Sequence, residues 1–278
     1  MRISRNRLIA DDGAAVPYRR SPNQSPGIHP TYVVMHYTAG ASAESSIDWL
    51  TNPAARASAH VVVARDGSVT QLVAFDRQAW HAGRSLWRGL EGLNAHAFGI
   101  ELDNGGPLER RLDGRWYTAF GAAIAEEKVV EARHRDGGPT RGWHAYSTEQ
   151  LLVAAEVANL LAHHFDLLDV IGHDDIARGR KLDPGPAFPM QTFRARVLGR
   201  ADDATEARPL MQTTTALNIR TGPGTQWDKL AASPLPAGTK LELLAEDGDW
   251  RQVLALDVVS GEMDVEGWVH GRYLQPAD

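Results

Sequence analysis

The residues that could do chemistry in this sequence are concentrated around a stiff segment, Arg180 to Phe188. Its two prolines fix the backbone φ angle at about −65°, and Gly185 between them can adopt a positive φ. Asp183 is therefore predicted to lie on a rigid turn. His173 follows an apolar run shortly upstream, and His36 ends another apolar run far upstream. Two histidines and one aspartate are the ligand set of a catalytic zinc ion, whose fourth position is left to water.

The composition excludes several other kinds of protein. The chain has 278 residues, a formal charge of −6, 43% hydrophobic residues and 23% charged residues. This length favours two domains, and the composition is typical of a soluble globular chain. The sequence contains neither an apolar run long enough for a membrane span nor the basic block expected of a nucleic-acid surface. Because it has no cysteine, any metal must be held by histidine and carboxylate.

The N-terminal segment gives the only indication of location. It carries arginines but lacks the apolar stretch of roughly 7 to 15 residues that a secretory signal needs. By default we expect a cytoplasmic protein, which would act on cell-wall material only if exported or released. The sequence does not indicate an oligomeric state.

Strands and helices alternate in the segments that would position the candidate residues. Short apolar runs at Tyr32 to His36 and Phe98 to Leu102 predict buried strands. Two apolar runs separated by Asp66 and Gly67 predict a β-hairpin. Ser147 to Asp166 combines a capping-box pattern with apolar residues at helical spacing, which predicts a helix. Further predictions are a short helix at 43–52, a strand directly before His173 and a last helix from Met190 to Leu198.

Other segments lack this periodicity. Residues 1–30 are polar and turn-rich, which predicts an irregular arm. Residues 104–146 are rich in glycine, arginine and other charged residues, so we expect a long excursion with little local structure, of a length that is usually functional or disordered. Residues 200–210 have the composition of a linker. Beyond them, short strands at regular spacing with glycine-rich turns predict a small all-β barrel.

With these features in view, residues 30–198 resemble the type 2 N-acetylmuramoyl-L-alanine amidases, whose fold is shared with the peptidoglycan recognition proteins. The matching segments are, in order, VVMHYTAG, SAHVVVARDGSVTQLV, WHAG, NAHAFGIE and IGHDDIARGRKLDPGPAF. The resemblance implies an α/β catalytic domain, residues 1–200, with a mixed central β-sheet flanked by helices. Residues 211–278 resemble the bacterial SH3-like barrels that bind cell wall, through LNIRTGPG and GWVHGRYL.

The resemblance assigns roles to single residues. His36, His173 and Asp183 would bind Zn²⁺, Glu101 would be the general acid and base, and Lys181 would stabilise an oxyanion. Some relatives have a tyrosine before the hairpin histidine, or a cysteine as the third ligand. This sequence has alanine and aspartate at those positions, which is typical of the subgroup that relies on a glutamate and a lysine.

Four further residues are expected to contact substrate, namely His60, Trp80, His81 and Asn94. As extra metal ligands, His60 and His81 would crowd the open position of the ion. Two alternatives therefore stand for these histidines, contact with substrate or hydrogen bonds within the core. For Trp80 the alternative is a place in the buried core.

Together these features predict zinc-dependent hydrolysis of the amide bond between N-acetylmuramic acid and L-alanine, in peptidoglycan or muropeptides. The C-terminal domain would hold the enzyme on the wall or shape its choice of substrate. One alternative is a peptidoglycan-binding recognition protein without catalysis, which could dispense with a metal ligand, although all three ligand positions are filled. Another is a zinc peptidase acting on stem peptides. The sequence does not distinguish intact wall from released muropeptide.

Overall fold

The computed structural model describes residues 1–198, 210–257, 259–260 and 265–277. The chain forms two compact units, Met1–Asp203 and Ala204–Asp278. The helices of the first unit are α1 (Ala43–Leu50), α2 (Thr148–Phe165), α3 (His173–Ile176) and α4 (Met190–Leu198). Its strands are, in chain order, β1 (Arg2–Ser4), β2 (Arg7–Ile9), β3 (Gln24–Pro26), β4 (Tyr32–Tyr37), β5 (Val61–Val63), β6 (Val69–Gln71), β7 (Arg77–Ala79), β8 (Leu86–Trp87), β9 (Leu90–Glu91), β10 (Ala97–Leu102), β11 (Pro107–Arg110), β12 (Trp116–Tyr117), β13 (Ala123–Ile124), β14 (Val129–His134), β15 (Gly137–His144) and β16 (Asp169–Gly172). Among the described residues, no helix combines the length and the apolar character needed to cross a membrane.

A mixed five-stranded sheet forms the centre of the first unit, in the order β16-β4-β10-β5-β6. Its first four strands run parallel, and β6 runs antiparallel to β5. The predicted hairpin is confirmed, with Asp66 and Gly67 in the turn between β5 and β6. The strands and helices predicted around the candidate residues are also present, and the sheet has the mixed character that the sequence resemblance implies.

The central sheet has hydrophobic clusters on both of its faces. Successive residues of a strand point to opposite faces of the sheet. Val33 and Met35 of β4 belong to a cluster that includes buried residues of α2. Tyr32 and Val34 belong to a different cluster on the other face. By the same alternation, His36 lies on the face opposite α2.

The first turn of helix α2 is hydrogen-bonded to the central sheet. The Ser147 side chain accepts a hydrogen bond from the Gln150 backbone N–H, as the capping pattern predicts. The reciprocal bond of a capping box is replaced, because the Gln150 side chain donates to the carbonyl groups of Val63 and Asp103. The helix thus begins at a fixed point beside the ends of β5 and β10.

Two predictions about irregular segments are wrong. Within residues 1–30, β1 pairs with β2, and β3 pairs with β7. Residues 104–146 form a second five-stranded sheet in the order β13-β12-β11-β15-β14. Three of its strands have only two to four residues, and the apolar residues that it buries are only Leu108, Trp116 and Trp143. Backbone ladders hold these segments together, and such ladders leave little hydrophobic periodicity in a sequence.

The second unit is an antiparallel sheet. Its strands are β17 (Leu210–Thr213), β18 (Lys240–Asp247), β19 (Trp250–Ala255), β20 (Glu266–His270) and β21 (Leu274–Pro276). They lie in the order β20-β19-β18-β17-β21. A separate core, which includes Ile219, Leu235 and Val253, supports the sheet. The short strands expected here are present, whereas the predicted linker at 200–210 lies outside the described residues except for Leu210.

Candidate metal and catalytic site

The carboxyl ends of three neighbouring parallel strands bring the candidate residues together. His36 lies near the end of β4 and is the register partner of Glu101 in β10. His173 directly follows β16, on the other side of β4. Asp183 comes from the turn that follows α3. These adjacent strand ends explain why residues so distant in the sequence share one site.

Three ligand atoms converge at this point. The Oδ2 atom of Asp183 lies 2.9 Å from His36 Nδ1 and 2.8 Å from His173 Nδ1, and the two nitrogens are 2.9 Å apart. All three residues are buried. Two imidazole lone pairs and a carboxylate oxygen repel one another at such separations unless a cation or a proton lies between them. The donor set is the one that zinc takes in catalytic sites, so these residues fit a zinc ion.

The turn that carries Asp183 is held rigidly. Gly185 has a φ of 72°, as predicted. A Cβ atom there would also meet the ring of Trp143 at 2.9 Å, so glycine is required for two reasons. The Tyr146 hydroxyl donates a 2.7 Å hydrogen bond to the Pro184 carbonyl. These contacts fix the direction of the Asp183 carboxylate.

Glu101 has the environment of a proton-transfer group. Its Oε2 atom is buried and has no hydrogen-bond partner in the described structure. Burial, together with the charge of Asp183, raises the pKa of Glu101 to about 8, although the charge of Lys181 opposes this shift. Lys181 is half-buried, and its charge also contributes to the lowered pKa of His36. A carboxyl group whose pKa lies near neutrality is suited to general acid and base catalysis.

The expected substrate histidines lie in the core. His60 is fully buried, accepts a hydrogen bond from the Gly99 backbone N–H through Nδ1 and donates through Nε2 to the Arg77 carbonyl. Burial lowers the pKa of His60 to about 4. His81 is also buried, with Nε2 3.0 Å from the Ala97 carbonyl and Nδ1 3.0 Å from a ring nitrogen of His36. Of the two alternatives, this placement favours core hydrogen bonds for both histidines.

Asn94 and Trp80 are likewise engaged within the protein. The Asn94 Oδ1 atom accepts hydrogen bonds from the backbone N–H groups of His81, at 2.9 Å, and Ala82, at 2.7 Å. Trp80 is half-buried and donates through Nε1 to the Ser25 hydroxyl. Asn94 Oδ1 and Trp80 Nε1 therefore already have hydrogen-bond partners within the protein.

With this geometry established, similarity to known proteins decides the family. Residues 25–186 match the N-acetylmuramoyl-L-alanine amidase family. The chain belongs to this family. Among curated members of the amidase family, the 1,6-anhydro-N-acetylmuramyl-L-alanine amidase AmpD of Citrobacter freundii is 33% identical over 144 residues, which cover 51% of this chain and 58% of that protein.

Other amidases show the same partial coverage. The N-acetylmuramoyl-L-alanine amidase AmiD of Escherichia coli K12 is 31% identical over 179 residues, covering 62% of this chain and 55% of the relative. A solved complex of AmiD from E. coli with anhydro-N-acetylmuramic acid-L-Ala-D-gamma-Glu-L-Lys is 27% identical, with a TM-score of 0.47, and the match covers 72% of this chain and 67% of that one. This chain therefore spans little more than half the length of the two curated relatives.

The sequence did not reveal several groups around the candidate site. The tip of the β14-β15 hairpin contacts the segment after His173, where His134 Nε2 lies 3.2 Å from Asp174 Oδ2 and Arg135 pairs with Asp175. The Ala82 carbonyl contacts His173. The contacts of His134 and Arg135 depend on a hairpin that the sequence did not predict. A backbone carbonyl is common to all residues, so no pattern identifies it.

Proposed function

We propose that this protein hydrolyses the amide bond between N-acetylmuramic acid and L-alanine in muropeptides, with one zinc ion held by His36, His173 and Asp183. The observation that carries this proposal is the convergence of three ligand atoms within 2.9 Å of one another, beside Glu101. Membership of the amidase family supports the reaction. The activity for which AmpD is named supports 1,6-anhydro-muramyl peptides as the substrate class.

The chain would divide the chemistry among few residues. A zinc ion bound here would polarise the amide carbonyl and bring the pKa of water to about 7. Glu101 accepts a proton from the attacking water and delivers it to the leaving nitrogen of L-alanine. The water oxygen bonds to the lactyl carbonyl carbon and the carbon–nitrogen bond breaks, which yields a carboxylic acid and a free amine. Lys181 stabilises the negative charge on the carbonyl oxygen.

For the second unit, we propose an SH3-like domain that holds the enzyme on peptidoglycan. Its antiparallel sheet and the sequence resemblance support this assignment. Trp250, His270 and Tyr273 form a row of rings with successive centroid separations of 5.4 and 5.8 Å. Tyr273 is 40% exposed. Such rings offer a large apolar contact area with polar edges, which suits a ligand of sugars and peptides.

Metal content and product analysis test the catalytic proposal. We expect about one zinc ion per chain, loss of activity with a chelator, and loss of both metal and turnover in His36→Ala and Asp183→Ala, because a site with two ligands binds zinc weakly. His164→Ala, an exposed histidine near the end of α2, is the matched control and should retain both. Elemental analysis and mass spectrometry of digested anhydro-muropeptides provide the readouts.

Two outcomes would contradict this proposal in different ways. Chelator-resistant cleavage by a protein without stoichiometric zinc would exclude a zinc mechanism. Stoichiometric zinc with no cleavage of any muropeptide would favour the recognition protein without catalysis.

A further inference from the structure

A histidine binds a metal only through a ring nitrogen that carries no proton. The His36 Nδ1 atom faces Asp183 Oδ2 at 2.9 Å. If Nδ1 carried the proton, it would donate a hydrogen bond to this carboxylate, and its lone pair would be lost to the metal. Another group must therefore hold the proton of neutral His36 on Nε2, as partners of the remote nitrogen do in many metal sites.

His81 is placed to do this. Its Nε2 lies 3.0 Å from the Ala97 carbonyl, which can only accept, so Nε2 carries the proton. The ring is buried, and a neutral imidazole that carries its proton on Nε2 has a bare Nδ1, which can only accept a hydrogen bond. The group facing this acceptor at 3.0 Å is His36 Nε2, which must donate. His36 Nδ1 is consequently left bare and directed at the ligand cluster.

The next residue acts on the second histidine ligand. His173 Nε2 lies 3.2 Å from the Ala82 carbonyl, which again can only accept. The proton of neutral His173 is therefore held on Nε2, and Nδ1 is left bare toward Asp183. The backbone N–H groups of both His81 and Ala82 donate to Asn94 Oδ1. One side chain thus holds the dipeptide that contacts the remote nitrogens of both histidine ligands.

The structure also keeps space for the His81 ring. Gly99 lies in β10, and a Cβ atom built there would approach His81 Cγ to 2.5 Å. The backbone of Gly99 is not in the left-handed region, so the constraint is steric and comes from the ring itself. A side chain at position 99 would push the His81 ring away from His36.

We propose that His81 is a positioning residue that fixes the tautomer of His36, and that the His81–Ala82 dipeptide, anchored by Asn94, prepares both histidines to bind the metal. This inference rests on the zinc site proposed above. It gives the WHAG segment a role in the metal centre, and it assigns His81 and the Asn94 Oδ1 atom to positioning rather than to contact with substrate.

Substitutions at position 81 separate this role from simple packing. His81→Leu removes the acceptor for His36 and should raise the zinc dissociation constant about 10- to 100-fold. His81→Asn places an amide oxygen near the position of Nδ1 and should restore most of the affinity. His81→Gln, whose longer side chain carries its amide past that position, should restore less. Gly99→Ala should weaken zinc binding without removing a polar side chain. Chelator competition measures each constant.

Nitrogen-15 NMR of the metal-free protein provides a readout that does not depend on zinc. His36 should carry its proton on Nε2 in the wild type and in His81→Asn, and should shift toward Nδ1 in His81→Leu. His144→Leu is the matched control, because His144 is also buried and accepts a backbone hydrogen bond, from Gly105 at 3.1 Å. It should lower stability but leave the zinc affinity and the His36 tautomer unchanged.

The outcomes distinguish the two proposals. A wild-type protein that binds no zinc would refute the proposed function, while the tautomer would still report on His81. Wild-type zinc affinity in His81→Leu, or a His36 proton on Nδ1 in the wild-type protein, would overturn the role of His81.

Discussion

Glu101 and His36 are register partners in neighbouring parallel strands, yet their environments suit opposite tasks. Burial lowers the pKa of His36 to about 4, which favours the neutral imidazole that a metal requires. Burial raises the pKa of Glu101 to about 8, which favours a carboxyl group able to hold a proton near neutral pH. In the proposed mechanism, these two adjacent positions on one sheet face would provide a ligand and a proton carrier.

Replacing Glu101 tests whether metal binding and proton transfer are carried by different residues. Glu101→Gln should retain stoichiometric zinc but lose roughly 10²- to 10⁴-fold in turnover, because a general acid and base is removed while the ligands stay. Zinc content and the rate on a soluble anhydro-muropeptide are measured on the same sample. Glu109→Gln, at an exposed position in β11, is the control. Loss of zinc from Glu101→Gln would mean that Glu101 is itself a ligand.

At the level of elements, the second five-stranded sheet of the first unit, residues 104–146, supports the segment from His173 to Asp183. The tip of the β14-β15 hairpin places His134 against Asp174, and Asp136 accepts a hydrogen bond from the Gly179 backbone N–H at 3.0 Å. Asp174 directly follows the proposed ligand His173. Trp143 of β15 packs on the turn after Asp183. The segment that was expected to have little local structure therefore forms a sheet that braces residues 173–183, which carry two of the three proposed ligands.

Substitutions in this hairpin should show which contacts matter. His134→Ala leaves Asp174 buried without that partner, which should cost about 1 to 3 kcal/mol and speed hydrogen exchange in residues 173–183. Arg135→Ala removes a partly exposed ion pair and should cost less than about 1 kcal/mol. Hydrogen exchange and chemical unfolding measure both effects.

Arg133→Ala, exposed on the same strand, is the control for these substitutions. Exchange in 173–183 that is identical in His134→Ala and in this control would contradict the idea of a brace.

For the molecule as a whole, the sequence predicted the elements that bury apolar runs. It did not predict the paired strands of residues 1–30 and 104–146, which bury few apolar residues. Short apolar runs in the sequence predict the strands that end at His36 and before His173. Apolar residues at helical spacing predict α2. The convergence of His36, His173 and Asp183 was predictable, because few residue types can bind zinc in a sequence without cysteine. The core hydrogen bonds of His81 and Asn94 depend on which backbone groups the fold brings near them. A single sequence contains no such information, because every residue carries the same N–H and carbonyl.

The two units provide the last prediction, made at the level of the whole chain. Each unit has its own hydrophobic core, one around β4 and α2 and the other around the second sheet. If the second unit only anchors the enzyme, a chain ending at residue 200 should fold, bind zinc and cleave a soluble muropeptide at nearly the full-length rate. Its apparent affinity for insoluble sacculi should fall, by up to about 10²-fold, because a tethered binding module raises the effective concentration of the active site at its polymer.

Pull-down of both chains with purified sacculi, run beside the soluble assay, measures this difference. Trp250→Ala and Tyr273→Ala in the full-length protein are the matched variants, and they should reduce sacculus binding while leaving soluble turnover unchanged. Equal sacculus binding with and without the second unit would refute the anchoring role. Loss of soluble activity on truncation would show instead that the catalytic site needs residues beyond position 200, since tethering alone leaves the rate on a small diffusible substrate unaffected.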